Sequence, residues 1–485
     1  MEHPLLIQGG MGIGVSNWRL ARVVSQLGHL GVVSGTAINS VLARRLQDGD
    51  VGGHVRRALK AFPAPAIAEK ILAKYFLEEG RPATQPYKGV PMFSLRPSLD
   101  LLQLTVVASF VEVFLAREDH QGLVGLNLLE KIQLPNLACL YGAILAGVHY
   151  VIMGAGIPRE IPGALDLLSQ NKKAELRITV DGGEPAIMEF DPAVVMDGQA
   201  RTSLRRPFFL PIVSSSTLAM TLKKKATGAV NGFVVEHHVA GGHNAPPRGP
   251  LRLNGLGEPV YGQRDEVAFA EMVALDLPFW FAGQAATPEK FHEIRQAGAQ
   301  GIQVGTLFAF CDESGLDPAL REKTLRAIAT QKPPEGGWVY TDARSSPTGF
   351  PFKVVRMSGT ASESEVFEGR RRCCDLGYLR TCYKKEDGSI GERCPAEPVA
   401  DYLRKGGAVE DTVGRKCLCN FLMTDIGLGQ VRSGGVEPPL LTAGDDLNFV
   451  SRMLSDGRTS YSAKDVVDYL FSPVVENWVI HPALA

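Results

Sequence analysis

The stretch VVEHHVAGGHNAPPRG, from Val234 to Gly249, puts three histidines, a glutamate and an arginine on one short loop behind an apolar, strand-like start. A histidine with its ordinary pKa of about 6.5 can take up or give a proton near neutrality, or bind an anion once protonated. His243 follows a double glycine, Gly241-Gly242, which lets the backbone approach a ligand closely. His237 and His238 carry no such signal, and one is expected to pack while the other is exposed. The pair His237 and His243 has a third ligand nowhere at convincing spacing, so no metal is expected there. Arg248, in the continuation NAPPRG, is placed to meet an anionic group.

Other tips of apolar runs carry small or polar residues of the same kind. Gln8-Gly9-Gly10-Met11 offers bare backbone and a thioether to a flat ring. Asn127 stands inside the apolar LVGLNLL, where an amide is costly unless bonded, either to a ligand or within the core. Gly154-Ala155-Gly156 offers a tight turn. Gly283-Gln284, and Gln303 with Gly305-Thr306, supply backbone N–H groups suited to a phosphate, with plain strand-ending turns as the alternative. A flat ring plus a phosphate describes flavin mononucleotide (FMN), although a sugar phosphate meets the same spacing.

These tips need a scaffold that brings them together. Eight short runs rich in Val, Ile and Phe read as buried strands: Leu5 to Met11, Leu30 to Thr36, Leu123 to Leu129, His149 to Gly156, Phe208 to Ser215, Gly232 to His237, Pro278 to Gly283 and Gly301 to Thr306. Helical segments lie between them, among them Asn17 to Leu27, Leu137 to Ala146, Thr217 to Ala226, Asp265 to Leu275 and Pro288 to Ala297. The fold class is therefore α/β, a (β/α)₈ TIM barrel with its site at the strands' C-terminal ends. An open doubly wound sheet would want an acidic residue closing its second strand, and that strand ends in Ser-Gly-Thr.

The barrel is expected over residues 1–330. A helical insertion covers about 50–105, with Gly53 to Gly80 reading as one long helix, and a hairpin insertion covers about 175–195, turning at Asp181-Gly182-Gly183. Residues 331–485 form an extension holding six of the eight cysteines: Cys373, Cys374, Cys382, Cys394, Cys417 and Cys419. Their spacing does not match a paired CxxC site, so reduced, partly buried thiols are expected ahead of zinc or an iron–sulfur cluster. Covering the barrel mouth, shaping the pocket, or forming a subunit contact, as in a homodimer, are the alternative roles open to this tail.

The net charge of −1 and the lack of a basic stripe exclude an evident nucleic-acid surface. The apolar run Leu104 to Ala116 is short of the roughly 20 residues of a membrane span and carries Glu112. The N-terminus, MEHPLLIQGG, does not read as a signal peptide. A cytoplasmic protein without membrane contact is expected.

QGGMG (Gln8 to Gly12), GVVSGT (Gly31 to Thr36), GLN (Gly125 to Asn127), AGGH (Ala240 to His243) and GIQVGT (Gly301 to Thr306) together resemble, in order, the nitronate monooxygenases, formerly called 2-nitropropane dioxygenases. The resemblance spans roughly the first 330 residues. It implies FMN as cofactor, with Gly9, Gly10 and Met11 beside the ring, Asn127 close to it, and Gly283, Gln284, Gln303, Gly305 and Thr306 at the phosphate. Gly241 and Gly242 would flank the flavin, and His243 would face its reactive edge. The implied activity is oxidation of nitronates or nitroalkanes by dioxygen to carbonyl compounds and nitrite. FMN-dependent enoyl-acyl carrier protein reductases share the AGGH histidine, so an acyl thioester is the alternative substrate, and a non-catalytic flavin-binding scaffold is a further alternative. The chain departs from the pattern at Val239, where smaller members carry glutamate, and at HNAPPRG. That bears on the substrate more than on the cofactor.

Overall fold

The computed structural model describes residues 3–199 and 204–474. All eight expected strands form: β1 (Leu6–Gln8), β2 (Gly31–Ser34), β3 (Val124–Leu129), β4 (Tyr150–Gly154), β5 (Phe208–Val213), β6 (Phe233–Glu236), β7 (Phe279–Ala282) and β8 (Gly301–Val304). They pair in parallel in the order β1-β8-β7-β6-β5-β4-β3-β2. A parallel bridge between Ile7 and Leu30 closes the ring, with Gln8 N–H donating to Leu30 O at 3.0 Å. The molecule is a (β/α)₈ barrel.

Where β1 and β2 splay beyond that bridge, the buried Gln8 side chain replaces the ladder. Its Oε1 accepts from Val32 N–H at 2.9 Å and its Nε2 donates to Ser16 Oγ at 2.7 Å. Inside the barrel, Ile7, Leu30, Val32, Tyr150, Ile152, Leu210, Val234, Trp280 and Ala282 form one cluster, mostly from alternating positions, as a filled barrel interior requires. Trp280 Nε1 finds its acceptor in Pro4 O at 2.8 Å.

The helical insertion departs from expectation. It is two helices, His54–Lys60 and Pro65–Tyr75, because Pro63 cannot continue the first and Pro65 at the first turn starts the second. Both pack on the helix Leu99–Arg117, where Phe62 meets Phe110 edge-on at 5.1 Å. That 19-residue helix is long and apolar enough to cross a membrane, but 78% of its apolar window is buried within the molecule. The helix expected at Asp265 to Leu275 is shorter, a 3₁₀ turn Gln263–Asp265 followed by Phe269–Val273.

The hairpin insertion pairs Ala174–Ile178 with Ala186–Phe190. Val180–Asp181 then adds in parallel to the tail strand Thr381–Lys384, which also pairs with Ile390–Arg393. Elsewhere the tail contributes a two-stranded ribbon, Val339–Asp342 with Phe352–Val355, and the helices Leu418–Asp425 and Ala463–Leu470. Leu441, Ala443, Leu447, Tyr461 and Val466 share a buried core with Leu6 and Val304 of the barrel strands.

Candidate active site at the barrel mouth

A cavity of about 470 Å³ opens at the C-terminal ends of the strands. Its lining includes Gly9, Gly10 and Met11 after β1, Asn127 on β3, Gly154 to Ile157 after β4, and Glu236 to His238 on and after β6. Gly241 to His243, Gly283, Gln303, Gly305 and Thr306 also line it. Of the twelve residues expected at a site, eleven therefore share one cavity. Gln284 is the exception: it is exposed, in a left-handed conformation (φ 51°), and outside the lining.

Close backbone approach explains the glycines after β1. A Cβ on Gly10 would fall 2.1 Å from Asn127 Cβ, and one on Gly9 would fall 3.1 Å from Gly305 Cα. Asn127 Nδ2 donates to Gly10 O at 3.0 Å, so the amide fixes the loop while its residue lines the cavity. Ser16 Oγ donates to Gly9 O at 2.7 Å and accepts from Met11 N–H at 2.9 Å, which holds the turn from below.

The tail supplies a further wall that includes Phe350, Phe352, Leu422, Asp425, Leu441, Thr442, Ala443 and Asp446. It also straps the histidine loop from both sides. Gly242 N–H donates to Thr442 Oγ1 at 3.0 Å, Lys353 N–H to Gly242 O at 2.9 Å, and Asp445 N–H to Val239 O at 3.0 Å. Gly444 N–H donates to Thr306 Oγ1 at 2.9 Å, and a Lys353–Asp445 ion pair at 2.8 Å joins the two straps.

His243 stands at the centre of this contact. Its Nε2 is 2.7 Å from Ser346 Oγ, which is itself 2.8 Å from Thr348 Oγ1. Phe352 meets the imidazole edge-on at 4.9 Å. Burial pushes the imidazole down to about 4, so it is neutral at neutral pH. His243 is part-buried and lines the cavity.

Three carboxyls on the lining were not singled out from the sequence. Burial pushes Glu236 up to about 8. Asp425 also rises to about 8, against the hydrogen bond its carboxylate accepts from Leu440 N–H at 2.9 Å. Asp446 rises to about 7 through burial, with Asp445 adding to it and a backbone hydrogen bond from Ala286 opposing it. Glu236 was visible in principle as the last residue of an apolar strand. Ser346, Asp425 and Asp446 had no local signal, because their role comes from folding the tail back over the mouth.

His237 and His238 take different places. His237 Nε2 contacts the Glu266 carboxylate at 3.0 Å, while His238 stacks on Tyr261 with centroids 4.0 Å apart. Their ligand atoms and a Glu266 oxygen lie within 4.8 Å of one another. Arg248 lines the cavity and donates from Nη2 to Ser214 O at 3.0 Å.

The residues fit FMN. A cavity of 300–1,000 Å³ is the usual size for a cofactor. Gln303 Oε1 is buried without a partner and lines the cavity, an acceptor open to a ring N–H or a ribityl hydroxyl. Gly283, Gly305 and Thr306 bring bare backbone to one side. Asp446 Oδ1 is another of the unpartnered atoms on lining residues, and a neutral Asp446 can donate to a phosphate where an ionised one would repel it.

No protein-family model matches the chain, and no curated protein matches it. Among solved structures, FabK from Thermotoga maritima is similar over 97% of this chain and 92% of its own, at 15% identity and a TM-score of 0.45. Nitroalkane oxidase from Streptomyces ansochromogenes is similar over 96% and 94%, at 14% identity and 0.42. The enoyl reductase domain of MlnA, from the macrolactin biosynthesis cluster of Bacillus amyloliquefaciens, is similar over 96% and 93%, at 10% identity and 0.46. Likeness at this level bears on neither activity nor cofactor. The barrel is established by the chain's own strand pairing.

Proposed function

We propose that this chain is an FMN-dependent oxidoreductase of the nitronate monooxygenase type, converting nitronates or nitroalkanes with dioxygen to carbonyl compounds and nitrite. One observation carries the reading: His243, the glycine tips of β1, β7 and β8 and the unpartnered Gln303 face one cavity of cofactor size. FMN would be held by Gly9, Gly10 and Met11 beside the ring, by Asn127 and Gln303 at its polar edge, and by Gly283, Gly305, Thr306 and Asp446 around its phosphate. When bound it supplies the electron-accepting chemistry that protein side chains lack.

The chain's residues do the rest. A neutral His243 can take the α-proton of a nitroalkane, and Ser346 holds its Nε2 so that the ring keeps one tautomer and one orientation. Arg248, on the cavity lining, would meet the anionic nitronate. The apolar lining residues Phe350, Phe352 and Leu422 would help to exclude water from the bound cofactor.

A second reading, reduction of an enoyl thioester, is favoured by Glu236. Its carboxyl is held neutral near pH 7, as a proton donor to carbon requires, and nitronate oxidation has no use for one. Anaerobic titration separates the two. Bleaching of the flavin by a nitronate, with nitrite released once air is admitted, supports the first. Reduction by a nicotinamide and reoxidation by an enoyl thioester supports the second.

A further inference from the structure

We propose that His237, His238 and Glu266 form a binding site for one divalent transition ion of the zinc class at the edge of the barrel-mouth cavity. Ligand atoms of the three residues lie within 4.8 Å of one another. His237 Nε2 is 3.0 Å from Glu266 Oε1 and 3.1 Å from Oε2. Zinc bonds imidazole nitrogen at about 2.0–2.1 Å and carboxylate oxygen at about 2.0–2.2 Å, so neighbouring tetrahedral donors stand roughly 3.4 Å apart. The widest gap in the group therefore has about 1.4 Å to close at most. The Glu266 side chain, 59% exposed, has room to follow the ion.

Local folding explains why two adjacent histidines meet. Successive residues of a strand face opposite ways, but β6 ends at Glu236 and the chain turns there. His237 N–H donates to Ala282 O at 2.9 Å, and Ala240 N–H donates back to His237 O at 3.0 Å. The two imidazoles thereby come to 4.0 Å between centroids, inclined at 41°. Tyr261 stacks on His238 at 4.0 Å and is itself tied through its hydroxyl to Ala245 O at 3.0 Å, which steadies that ring. Glu266 follows the 3₁₀ turn Gln263–Asp265, held by Gly262 N–H donating to Asp265 Oδ2 at 2.8 Å. Rings fixed by their neighbours in this way are what a metal site requires of its ligands. A second observation is His238 Nδ1, which is buried without a hydrogen-bond partner. Buried polar atoms are almost always satisfied, and a plain ion pair of His237 with Glu266 would leave this one as it is. An ion shared by all three residues brings the His238 ring a partner.

The neighbouring polar groups are already committed. Asp265 accepts from Arg248 N–H and Gly262 N–H, each at 2.8 Å. His243, which sequence spacing pairs with His237, turns instead to Ser346 and takes no part. The third donor that spacing could not supply is Glu266, 28 positions beyond His238. Imidazole with carboxylate suits zinc and its first-row neighbours, whereas calcium and magnesium take oxygen ligands. His237 and His238 line the cavity and Glu266 does not, which sets the ion where the cavity wall gives way to solvent. Three protein donors leave a coordination position for water or for an anionic oxygen of a substrate. None of the three is among the residues assigned to FMN, so the site stands whichever cofactor the barrel holds.

The test uses zinc itself. Untagged full-length protein is stripped with chelator and titrated with zinc chloride, and bound zinc is counted by elemental analysis. Zinc-edge X-ray absorption of the loaded protein then reads the donor atoms, which separates this site from the chain's cysteines. One zinc per chain is expected, with nitrogen and oxygen donors at about 2.0–2.1 Å and no sulfur at about 2.3 Å. His238→Ala and Glu266→Ala should each weaken binding at least tenfold, and His292→Ala, at an exposed histidine, should leave it unchanged. No zinc retained, sulfur among the donors, or native affinity in the His238 and Glu266 variants would overturn the proposal. Glu266 is exposed, so its variant and the donor atoms of the native chain decide the matter even if His238→Ala fails to fold.

Discussion

Replacing Ser346 by alanine tests whether the tail belongs to the catalytic machinery. The Ser346 hydroxyl is fully buried and is 2.7 Å from His243 Nε2. Alanine leaves that nitrogen in a buried place with no partner, and an unmade buried hydrogen bond costs about 1–3 kcal/mol. Part of this is relieved if the imidazole turns to find another partner, and then its orientation toward the cavity is lost. Either way the loss is felt where His243 handles a proton. At about 1.4 kcal/mol per factor of ten, kcat/KM should fall roughly 5- to 150-fold. FMN content should be unchanged, because Ser346 is not on the cavity lining. Ser346→Thr, which keeps the hydroxyl, should recover most of the loss. The assay is steady-state turnover with a nitronate and with an enoyl thioester at matched flavin occupancy. An alanine variant within twofold of the native enzyme on the substrate it turns over would refute the role given to Ser346.

Three further outcomes follow from the same geometry. His243→Ala should retain bound FMN while losing about 10²- to 10⁴-fold in turnover, checked by flavin release and rate on one preparation. Gly10→Ala should lose FMN or fold poorly, since its Cβ would overlap Asn127 Cβ at 2.1 Å; released flavin per chain and a thermal melt read this. Asp425 and Asp446 have folded-state values raised to about 8 and 7, so between roughly pH 4 and 8 the native state holds more protons than the unfolded one. Stability should therefore fall as pH rises through that window, with a melting temperature several degrees lower at pH 9 than at pH 6, and Asp425→Asn should flatten the slope.

The strands were legible because each is a short run of β-branched and aromatic residues ending in glycine or a polar residue, a pattern that parallel burial on both faces imposes. The eleven residues gathered at the cavity were legible for the same reason: in a barrel, the ends of all eight strands converge. Gly53 to Gly80 was misread because its apolar spacing continues across Pro63 and Pro65 while its hydrogen bonds do not. Gln284 was carried along with Gly283, but its left-handed backbone turns the side chain outward to solvent. The contacts of His243 with Ser346, of Thr306 with Gly444 and of Val239 with Asp445 join residues 103, 138 and about 200 positions apart. No local periodicity encodes such pairs, so the tail's part in the site appears only once the chain is folded. VVEHHVAGGHNAPPRG announced its last histidine by the double glycine, and said nothing of the serine that holds it.

The most direct test of the account is the flavin bound to the native chain. Untagged protein is denatured, and the cofactor released is identified and counted against protein. One FMN per chain, bleached without oxygen by a nitronate or by a nicotinamide, is the predicted result. A chain that releases no flavin and binds none when titrated with FMN would contradict it.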